Sequence, residues 1–268
     1  MPRRVYNVTD HWEEGDYPSA LAIGDSWFWY LNQNLMLSLT HLKQLRDQYS
    51  TVQLLGFNGA SLSEYVGNGR YASAINHYLK KGWREGFSEF YISGAGNDAV
   101  HLNLALREDC RGIETPDDCF DPDHLRTMLG DISAAIGSVI HKIQYAYKDD
   151  NKPLKKFFIQ GYDYPVPDGR GFLNSKGWLK PKMDPVGVNP DMDFRKEVVK
   201  RLIDKLNDEV FKPYHAPEKG VYYVDTRGTL TTGASYRDDW ANEMHPTSHG
   251  FGKIADHWLP SLKAAGLT

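Results

Sequence analysis

The sequence predicts an α/β fold, in which a mostly parallel β-sheet carries helices on both of its faces. Three observations lead to this prediction. Short apolar runs that favour β-structure alternate with helical stretches along the 268 residues. Polar residues follow directly after two of these runs, as they do at the strand ends where parallel sheets bind ligands. An apolar fraction of 41% is sufficient for one large core.

Five strands and three helices can be placed from these patterns. The strands are expected at residues 20–24, 51–57, 87–93, 156–161 and 221–225. The best-defined helix covers 123–148, where apolar residues from Leu125 to Ile143 recur at three-and-four spacing. A second helix is expected at 193–211. A third begins after Pro246, since proline is tolerated in the first helical turn.

Two segments are predicted to be insertions in a single domain that covers residues 1–268. The first, 101–121, is polar and contains Cys110 and Cys119, which we expect to be unpaired thiols. The second, 162–191, is rich in Pro and Gly and contains several aromatic residues. Long loops of this kind are usually functional or disordered. Because this one begins directly after a predicted strand, we expect it to form part of a cleft wall.

The charge pattern argues against a nucleic acid or an anionic membrane surface as a partner. The formal net charge is −4, and acidic and basic residues are interspersed. No apolar run approaches the roughly 18 residues that a membrane span needs. The first residues are not followed by the apolar core of a signal peptide, so a soluble, cytoplasmic protein is expected.

Three fragments together supply the residue types needed for acyl transfer. Gly24-Asp25-Ser26 ends the first predicted strand, Gly96-Asn97-Asp98 follows the third, and His245 lies before the last helix. A serine hydroxyl is a weak nucleophile at neutral pH and needs an adjacent base. The first fragment does not match Gly-x-Ser-x-Gly, which argues against an α/β-hydrolase elbow. It also lacks Gly-x-Gly-x-x-Gly, which argues against a dinucleotide-binding protein.

The order and spacing of these fragments resemble the SGNH (GDSL-type) hydrolase superfamily, and the resemblance covers most of the chain. It implies a flavodoxin-like, three-layer α/β/α fold with a mostly parallel five-stranded sheet. It also implies hydrolysis of esters or thioesters through an acyl-serine intermediate, without a metal or an organic cofactor. Ser26 would be the nucleophile and His245 the general base.

The same resemblance implies an oxyanion hole with three hydrogen-bond donors. These are the backbone N–H groups of Ser26 and Gly59 and the side-chain amide of Asn97. Gly59 follows the second predicted strand, where a glycine lets the backbone approach a substrate closely. The chain departs from the family pattern Gly-x-Asn-Asp, since Ala95 takes the position of the first glycine.

The residue that orients His245 has several candidates. The superfamily usually has an aspartate three positions before the histidine, where this chain has Asn242. An asparagine oxygen can orient the imidazole but cannot supply the negative charge that stabilises the imidazolium. We favour Asn242, with Asp239 as the next candidate. The alternatives are a Ser–His dyad and a charge supplied by Asp238 or Glu243.

An aromatic run at residues 27–30 follows the proposed nucleophile. If a helix begins there, part of the run must face the core, which we expect for Phe28 and Tyr30. The candidate substrate-binding residues, which would form an acyl pocket or a sugar-stacking wall, are Trp27, Trp29, Tyr162 and Tyr164.

A histidine pair near the last predicted helix could indicate a metal site. His249 lies four residues after His245, a spacing that places two ligands on one helix face. Pro246 and Gly250 make the start of this helix irregular, and no glutamate follows the first histidine. We therefore expect no metal.

The polar, aromatic loops favour a small acyl ester, such as an acetyl ester, of a carbohydrate or a related small molecule. Two alternatives stay open. The substrate would be a lipid ester or a thioester, or the protein would be a non-catalytic glycan-binding module on the same fold.

Overall fold

A parallel β-sheet of six strands lies at the centre of the described part of the chain. The computed structural model describes residues 4–12, 14–15, 17–30, 33–42, 51–148 and 154–267. The strands are β1 (Arg4–Tyr6), β2 (Ala20–Gly24), β3 (Thr51–Gly56), β4 (Glu89–Ile92), β5 (Lys156–Gln160) and β6 (Val221–Val224). Their order across the sheet is β1-β3-β2-β4-β5-β6, and all neighbouring strands are parallel.

The last five strands have the order of a flavodoxin-like sheet. β3, β2, β4, β5 and β6 correspond to the order 2-1-3-4-5 of that fold. The α/β fold predicted from the sequence is therefore confirmed, and each of the five predicted strands is present. The sheet has one strand more than predicted. Strand β1 pairs with β3 at one edge, and its three residues are too few to show an alternating pattern.

The helices that flank the sheet are α1 (Leu35–His41), α2 (Ala72–Tyr78), α3 (Gly96–His101), α4 (Pro122–Ala146), α5 (Lys180–Met183), α6 (Met192–Lys205), α7 (Tyr236–Asp239) and α8 (Ser248–Ala264). A π-helical segment, Leu206–Phe211, continues α6, so the two together account for the helix predicted at 193–211. Short 3₁₀ helices lie at Leu62–Tyr65, Arg84–Gly86, Asn103–Ala105, Pro116–Cys119, Phe172–Asn174, Lys212–Tyr214 and Pro217–Lys219.

Helices α4 and α8 begin at side chains that cap their first turns. Asp121 accepts backbone N–H groups at the start of α4, whose predicted apolar stripe is buried. Thr247 caps α8 by accepting the N–H group of Gly250, so this helix begins two residues after Pro246. This cap fixes the direction in which the chain leaves the segment that carries His245.

The core is built around strands that are buried on both faces, as parallel strands between two helical layers are. Aromatic side chains form a ladder across three neighbouring strands. The ring of Phe90 stacks on Phe157 at 5.2 Å, and the ring of Phe158 stacks on Tyr91 and Tyr222 at 5.3 Å each. These strands therefore hold a fixed register, which places their carboxyl ends at one edge of the sheet.

The first predicted insertion contains both cysteines. An isolated bridge joins Leu106 to Phe120, and Cys110 and Cys119 are buried free thiols, as expected. Within the described ranges, no helix is both long enough and apolar enough to cross a lipid bilayer.

Candidate active site

The candidate nucleophile lies on a turn at the carboxyl end of β2. Backbone N–H groups of Phe28 and Trp29 both donate to the carbonyl oxygen of Asp25, and Ser26 lies within this turn with 6% of its surface exposed. The next helix, α1, begins only at Leu35. The aromatic run 27–30 is therefore part of an irregular turn, and its side chains do not follow a helical pattern.

His245 reaches Ser26 from the opposite end of the sequence. Its Nε2 atom lies 2.7 Å from the Oγ atom of Ser26, and both residues are buried. The histidine sits in a tight turn between α7 and α8, closed by hydrogen bonds from the N–H groups of Ala241 and Asn242 to its own carbonyl oxygen. The geometry is that of a serine with an adjacent base.

Asn242 is the side chain that orients the imidazole. Its Oδ1 atom accepts the backbone N–H groups of Met244 and His245 and lies 2.9 Å from Nδ1 of the histidine. Its Nδ2 atom donates to the hydroxyl of Tyr30 at 2.9 Å. The Oδ1 atom can only accept hydrogen bonds, so the His245 proton is assigned to Nδ1. The Nε2 atom is then free to accept the proton of Ser26.

Two aromatic rings cover His245. The ring of Tyr30 is parallel to the imidazole, with a centroid distance of 4.1 Å and an interplanar angle of 8°. The ring of Trp178 meets it at 77° and 5.4 Å. Burial lowers the pKa of His245 to about 3, because the protonated ring would lose its contact with water. The histidine is therefore neutral at physiological pH, which is the state a general base requires.

The other proposed orienting residues do not contact His245. The buried carboxylate of Asp239 accepts the N–H of Thr231 and pairs with Lys253 at 2.8 Å. The carboxylate of Glu243 faces the 162–191 loop. The structure thus corrects the assignment of Asp239 to the catalytic group, since the turn at 240–246 directs its side chain toward α8.

Glu243 fastens the second insertion to the segment that carries the histidine. Its two carboxylate oxygens accept backbone N–H groups from Gly169, Trp178, Leu179 and Lys180, at distances of 2.5–3.0 Å. This contact places Trp178 against the imidazole. The expectation that the loop forms a cleft wall agrees with this position.

Asn97 lies in the first turn of α3, at the end of β4, which is the neighbour of β2 in the sheet. One of its Nδ2 hydrogens is donated to the carbonyl oxygen of Ala60 at 3.0 Å, which leaves the second for a ligand. Gly59, directly before Ala60, is exposed and has a φ of +77°. The contact thus brings the two loops that carry the proposed oxyanion donors together.

Ala95 stands where the family pattern has a glycine, and it adopts a backbone conformation typical of glycine. Ala95 has a φ of +109°, in the left-handed region where glycine is normally favoured. Asp98 then turns back and accepts the backbone N–H of Leu62 at 3.1 Å. The turn that positions Asn97 therefore forms without the glycine expected from the family pattern.

The buried carboxylate of Asp25 stabilises the turn that carries Ser26. It accepts hydrogen bonds from the hydroxyls of Tyr162 and Ser93, at 2.6 and 2.8 Å, and from the N–H of Trp27. Burial raises the pKa of Asp25. The role of Asp25 could not be predicted, because nothing in the spacing of the sequence shows that distant hydroxyls converge on this residue.

The four aromatic residues predicted to bind substrate divide into two groups. Trp27 is only 2% exposed and packs edge-on against Tyr162 at 5.0 Å, so both lie beneath Ser26. With Gly96 and Met244 they line an apolar cavity of about 40 Å³. They are part of the packing under the site, with at most a narrow space beside them.

Trp29 and Tyr164 contact neither Ser26 nor His245. Trp29 packs against Gly56 on β3 and lines a surface groove near the N-terminal strand. The hydroxyl of Tyr164 donates to Asp204 on α6 at 2.6 Å, which holds its ring away from the site. The structure therefore corrects their assignment as substrate-binding residues. Tyr30, expected in the core, covers the histidine instead.

The described residues contain no group of three or more His, Cys, Asp or Glu side chains that could hold a metal ion. The side chain of His249 is 66% exposed, and its Nε2 atom lies 3.8 Å from the carboxylate of Asp239.

Comparison with solved structures identifies the fold. The lipase Lip_vut3 from a goat rumen metagenome is similar over 92% of this chain and 97% of its own, with a TM-score of 0.55 and 17% identity. Phospholipase A1 from Streptomyces albidoflavus NA297 is similar over 93% of this chain and 99% of its own, with a TM-score of 0.51 and 16% identity. The chain therefore has the same fold as these two structures. No protein-family model and no curated protein matches the sequence.

The fold that this chain shares with them brings Ser26, Asn97 and His245 to one edge of the sheet. The serine comes from the end of β2, the asparagine from the end of β4, and the histidine from the turn before α8. Such an arrangement can transfer a proton from a hydroxyl and accept an acyl group on the resulting oxygen.

Proposed function

We propose that this protein is a serine-dependent hydrolase of carboxylic esters that works through an acyl-serine intermediate. One observation carries the proposal. The hydroxyl of Ser26 lies 2.7 Å from a neutral, buried imidazole nitrogen of His245, whose other nitrogen is held by Asn242. A serine, a base and an orienting side chain in this chain of contacts are the parts of a catalytic triad.

In the first half of the reaction, Ser26 Oγ attacks the ester carbonyl carbon while its proton passes to Nε2 of His245. A carbon–oxygen bond forms, and the carbonyl π electrons move onto the carbonyl oxygen. The N–H groups of Ser26 and Gly59 and the amide of Asn97 donate to this oxyanion. When the oxyanion collapses, the bond to the alcohol breaks, and His245 gives the alcohol its proton.

In the second half, water replaces the alcohol. His245 removes a proton from water, whose oxygen attacks the acyl carbon. The second tetrahedral intermediate collapses, and Ser26 recovers its proton as the carboxylic acid is released. The same donors serve both halves, because the negative charge develops on the same oxygen.

The substrate we infer is a small acyl ester, such as an acetyl ester, of a carbohydrate or a related small molecule. Ser26 is 94% buried, since only 6% of its surface is exposed, and the apolar cavity beside Trp27 has a volume of about 40 Å³. This cavity is lined by Trp27 and Met244, the direct chain neighbours of Ser26 and His245, and its volume admits a few carbon atoms but not a long chain. Aromatic rings of the 162–191 loop, such as Trp178, offer flat apolar faces to an alcohol like a sugar.

Two of the similar structures are a lipase and a phospholipase A1, which favours a lipid ester as the second candidate substrate. The two candidates differ in the length of acyl chain they predict. A lipid hydrolase prefers long acyl groups, whereas the small apolar cavity supports short ones.

The test is hydrolysis of p-nitrophenyl acetate, butyrate and octanoate by the wild type, Ser26→Ala and Ser138→Ala. Ser138 is an exposed serine on α4, so its variant is a control for the loss of a hydroxyl. We expect acetate to be preferred and only Ser26→Ala to abolish turnover and labelling by a fluorophosphonate. Preference for octanoate would favour the lipid ester. Unchanged hydrolysis and labelling in folded Ser26→Ala would refute the serine mechanism, and no activity or labelling in the wild type would favour the glycan-binding module.

A further inference from the structure

The base of the proposed triad lacks a negative partner. When Ser26 attacks, His245 becomes an imidazolium, and the side chain at its Nδ1 is the neutral Asn242. In serine proteases, replacing the aspartate of the triad by asparagine lowers turnover by about 10⁴. An enzyme built on Asn242 therefore needs another means of stabilising the protonated ring.

No charged side chain in the described part of the chain contacts the imidazole. The carboxylates that lie close to Ser26 or His245 along the chain are engaged elsewhere: Glu243 with the backbone of the 162–191 loop, Asp239 with Lys253, and Asp25 with Tyr162. The groups that do surround the ring are the Ser26 hydroxyl, the Asn242 amide and the rings of Tyr30 and Trp178.

Tyr30 has the geometry to act on the charge. Its ring lies parallel to the imidazole at 4.1 Å and 8°, so its π face covers the ring that becomes positive. The face of an aromatic ring carries partial negative charge, and it attracts a cation within about 6 Å. Water exclusion strengthens this attraction. The imidazole is neutral before the attack, so the interaction is stronger in the transition state than in the ground state.

The hydroxyl of Tyr30 contacts Asn242, the side chain that orients His245. It accepts a hydrogen bond from Nδ2 of Asn242 at 2.9 Å. This contact keeps Oδ1 turned toward Nδ1 of His245, because a flipped amide would present N–H groups there. A single tyrosine thus contacts the base through its ring and the orienting amide through its hydroxyl.

We propose that the π face of Tyr30 stabilises the protonated form of His245 and so replaces part of the charge that an aspartate would supply. The proposal rests on the proposed serine hydrolase function. Tyr30 is a positioning and electrostatic residue, since it contacts the base and the side chain that orients the base.

The test replaces Tyr30 by phenylalanine and then by mono-, tri- and pentafluorophenylalanine through amber suppression. Fluorination weakens the negative π face while keeping the ring in place to shield the imidazole. We expect Tyr30→Phe to lower kcat up to about threefold and the pentafluoro ring to lower it about tenfold further, as a cation–π interaction of roughly 1–2 kcal/mol predicts. We expect KM to change little, because the ring acts on a positive charge that develops on His245 only after the substrate is bound.

Two controls separate the charge effect from a structural one. The same series at Tyr145, an exposed residue of α4 that contacts Lys148, should leave kcat unchanged. In an Asn242→Asp background the dependence on fluorination should become shallower, since a carboxylate then supplies the charge. The proposal would be overturned if kcat did not change with fluorination at position 30 in the protein that keeps Asn242, while activity still depended on Ser26. Loss of Ser26 dependence would instead refute the underlying serine mechanism.

Discussion

The indole N–H of Trp27 donates to the carbonyl oxygen of Met244 at 2.9 Å. Each of these residues is the direct chain neighbour of a proposed catalytic residue, Ser26 in one case and His245 in the other. The hydrogen bond therefore joins the nucleophile turn to the base turn. It limits how far Oγ and Nε2 can separate.

Replacing Trp27 by phenylalanine removes this hydrogen bond and keeps most of the ring. We expect kcat to fall about tenfold with little change in KM. Trp258→Phe is a matched control, because its indole N–H donates to Gln160 at 2.6 Å in the core. Both variants should lose about 1 kcal/mol of unfolding free energy. Equal kcat values for the two variants would show that the Trp27–Met244 contact does not position the catalytic pair.

Replacing Asn97 by alanine tests the oxyanion hole. We expect kcat to fall by roughly 10²–10³, because one donor to the developing charge is lost. The contact with Ala60 is lost as well, at a cost of about 1 kcal/mol in stability. Steady-state kinetics and thermal melting measure the two effects separately. A rate near that of the wild type would remove Asn97 from the hole.

The pH dependence of kcat/KM should differ from that of an ordinary histidine base. Burial lowers the pKa of His245 to about 3, so the ring stays neutral well below the usual value near 6.5. We expect kcat/KM to stay level through that usual range and to decline only at more acidic pH. A decline centred near 6.5 would show that the base titrates like an exposed histidine.

Stability must be measured over the same pH range. Between about pH 6.5 and 3 the unfolded chain protonates His245 and the folded chain does not, so this residue lowers stability as the pH falls. Burial raises the pKa of Asp98 and Asp163 to about 6, so these carboxyls have the opposite effect below that pH. Circular dichroism at each pH distinguishes loss of fold from protonation of the base.

Replacing Asn242 by aspartate places a carboxylate at Nδ1 of His245. The negative charge favours the imidazolium, so the pKa of His245 should rise and the acid limb should move to higher pH. We expect kcat at neutral pH to increase several-fold. Asp239→Asn is the control, because that residue contacts Lys253 and not the histidine. Asp239→Asn should lower the free energy of unfolding and leave the acid limb of the kcat/KM profile at the same pH as in the wild type. A shifted limb in Asp239→Asn alone would assign the orienting role to Asp239.

Replacing Glu243 by glutamine disturbs the attachment of the 162–191 loop. One of the two carboxylate oxygens becomes an NH₂ group, which then faces two backbone N–H donors: those of Gly169 and Lys180 at Oε1, or those of Trp178 and Leu179 at Oε2. We expect a loss of about 1–3 kcal/mol in stability, faster proteolysis within the loop and a lower kcat/KM. Glu218→Gln, at an exposed position, should match the wild type. Unchanged proteolysis in Glu243→Gln would show that the loop is held by other contacts.

The strand pattern and the fold could be predicted because each central strand is an apolar run that is buried on both faces. Because Ser26 and Asn97 directly follow two predicted strands, the sequence also predicted that the candidate site lies at the carboxyl edge of the sheet. Strand β1 was missed, since its pairing with β3 depends on a partner in a different part of the sequence.

The surroundings of the site could not be predicted from spacing. The aromatic run after Ser26 forms a turn, so its four rings point in different directions: Trp27 and Phe28 lie in the core, Trp29 faces β3 and Tyr30 covers the histidine. Similarly, Tyr164 is held by Asp204, a residue of a distant helix. Such contacts are tertiary, and the spacing of residues along the sequence contains no signal for them.

The contact between Ser26 and His245 joins residues 219 positions apart. A chain still being synthesised therefore contains its nucleophile early and receives its base near the end, after all six strands. Closing so long a loop is entropically unfavourable until the intervening sheet has formed. It follows that a partly made chain has no hydrolytic machinery, and that recovery of esterase activity during refolding would report completion of the whole sheet.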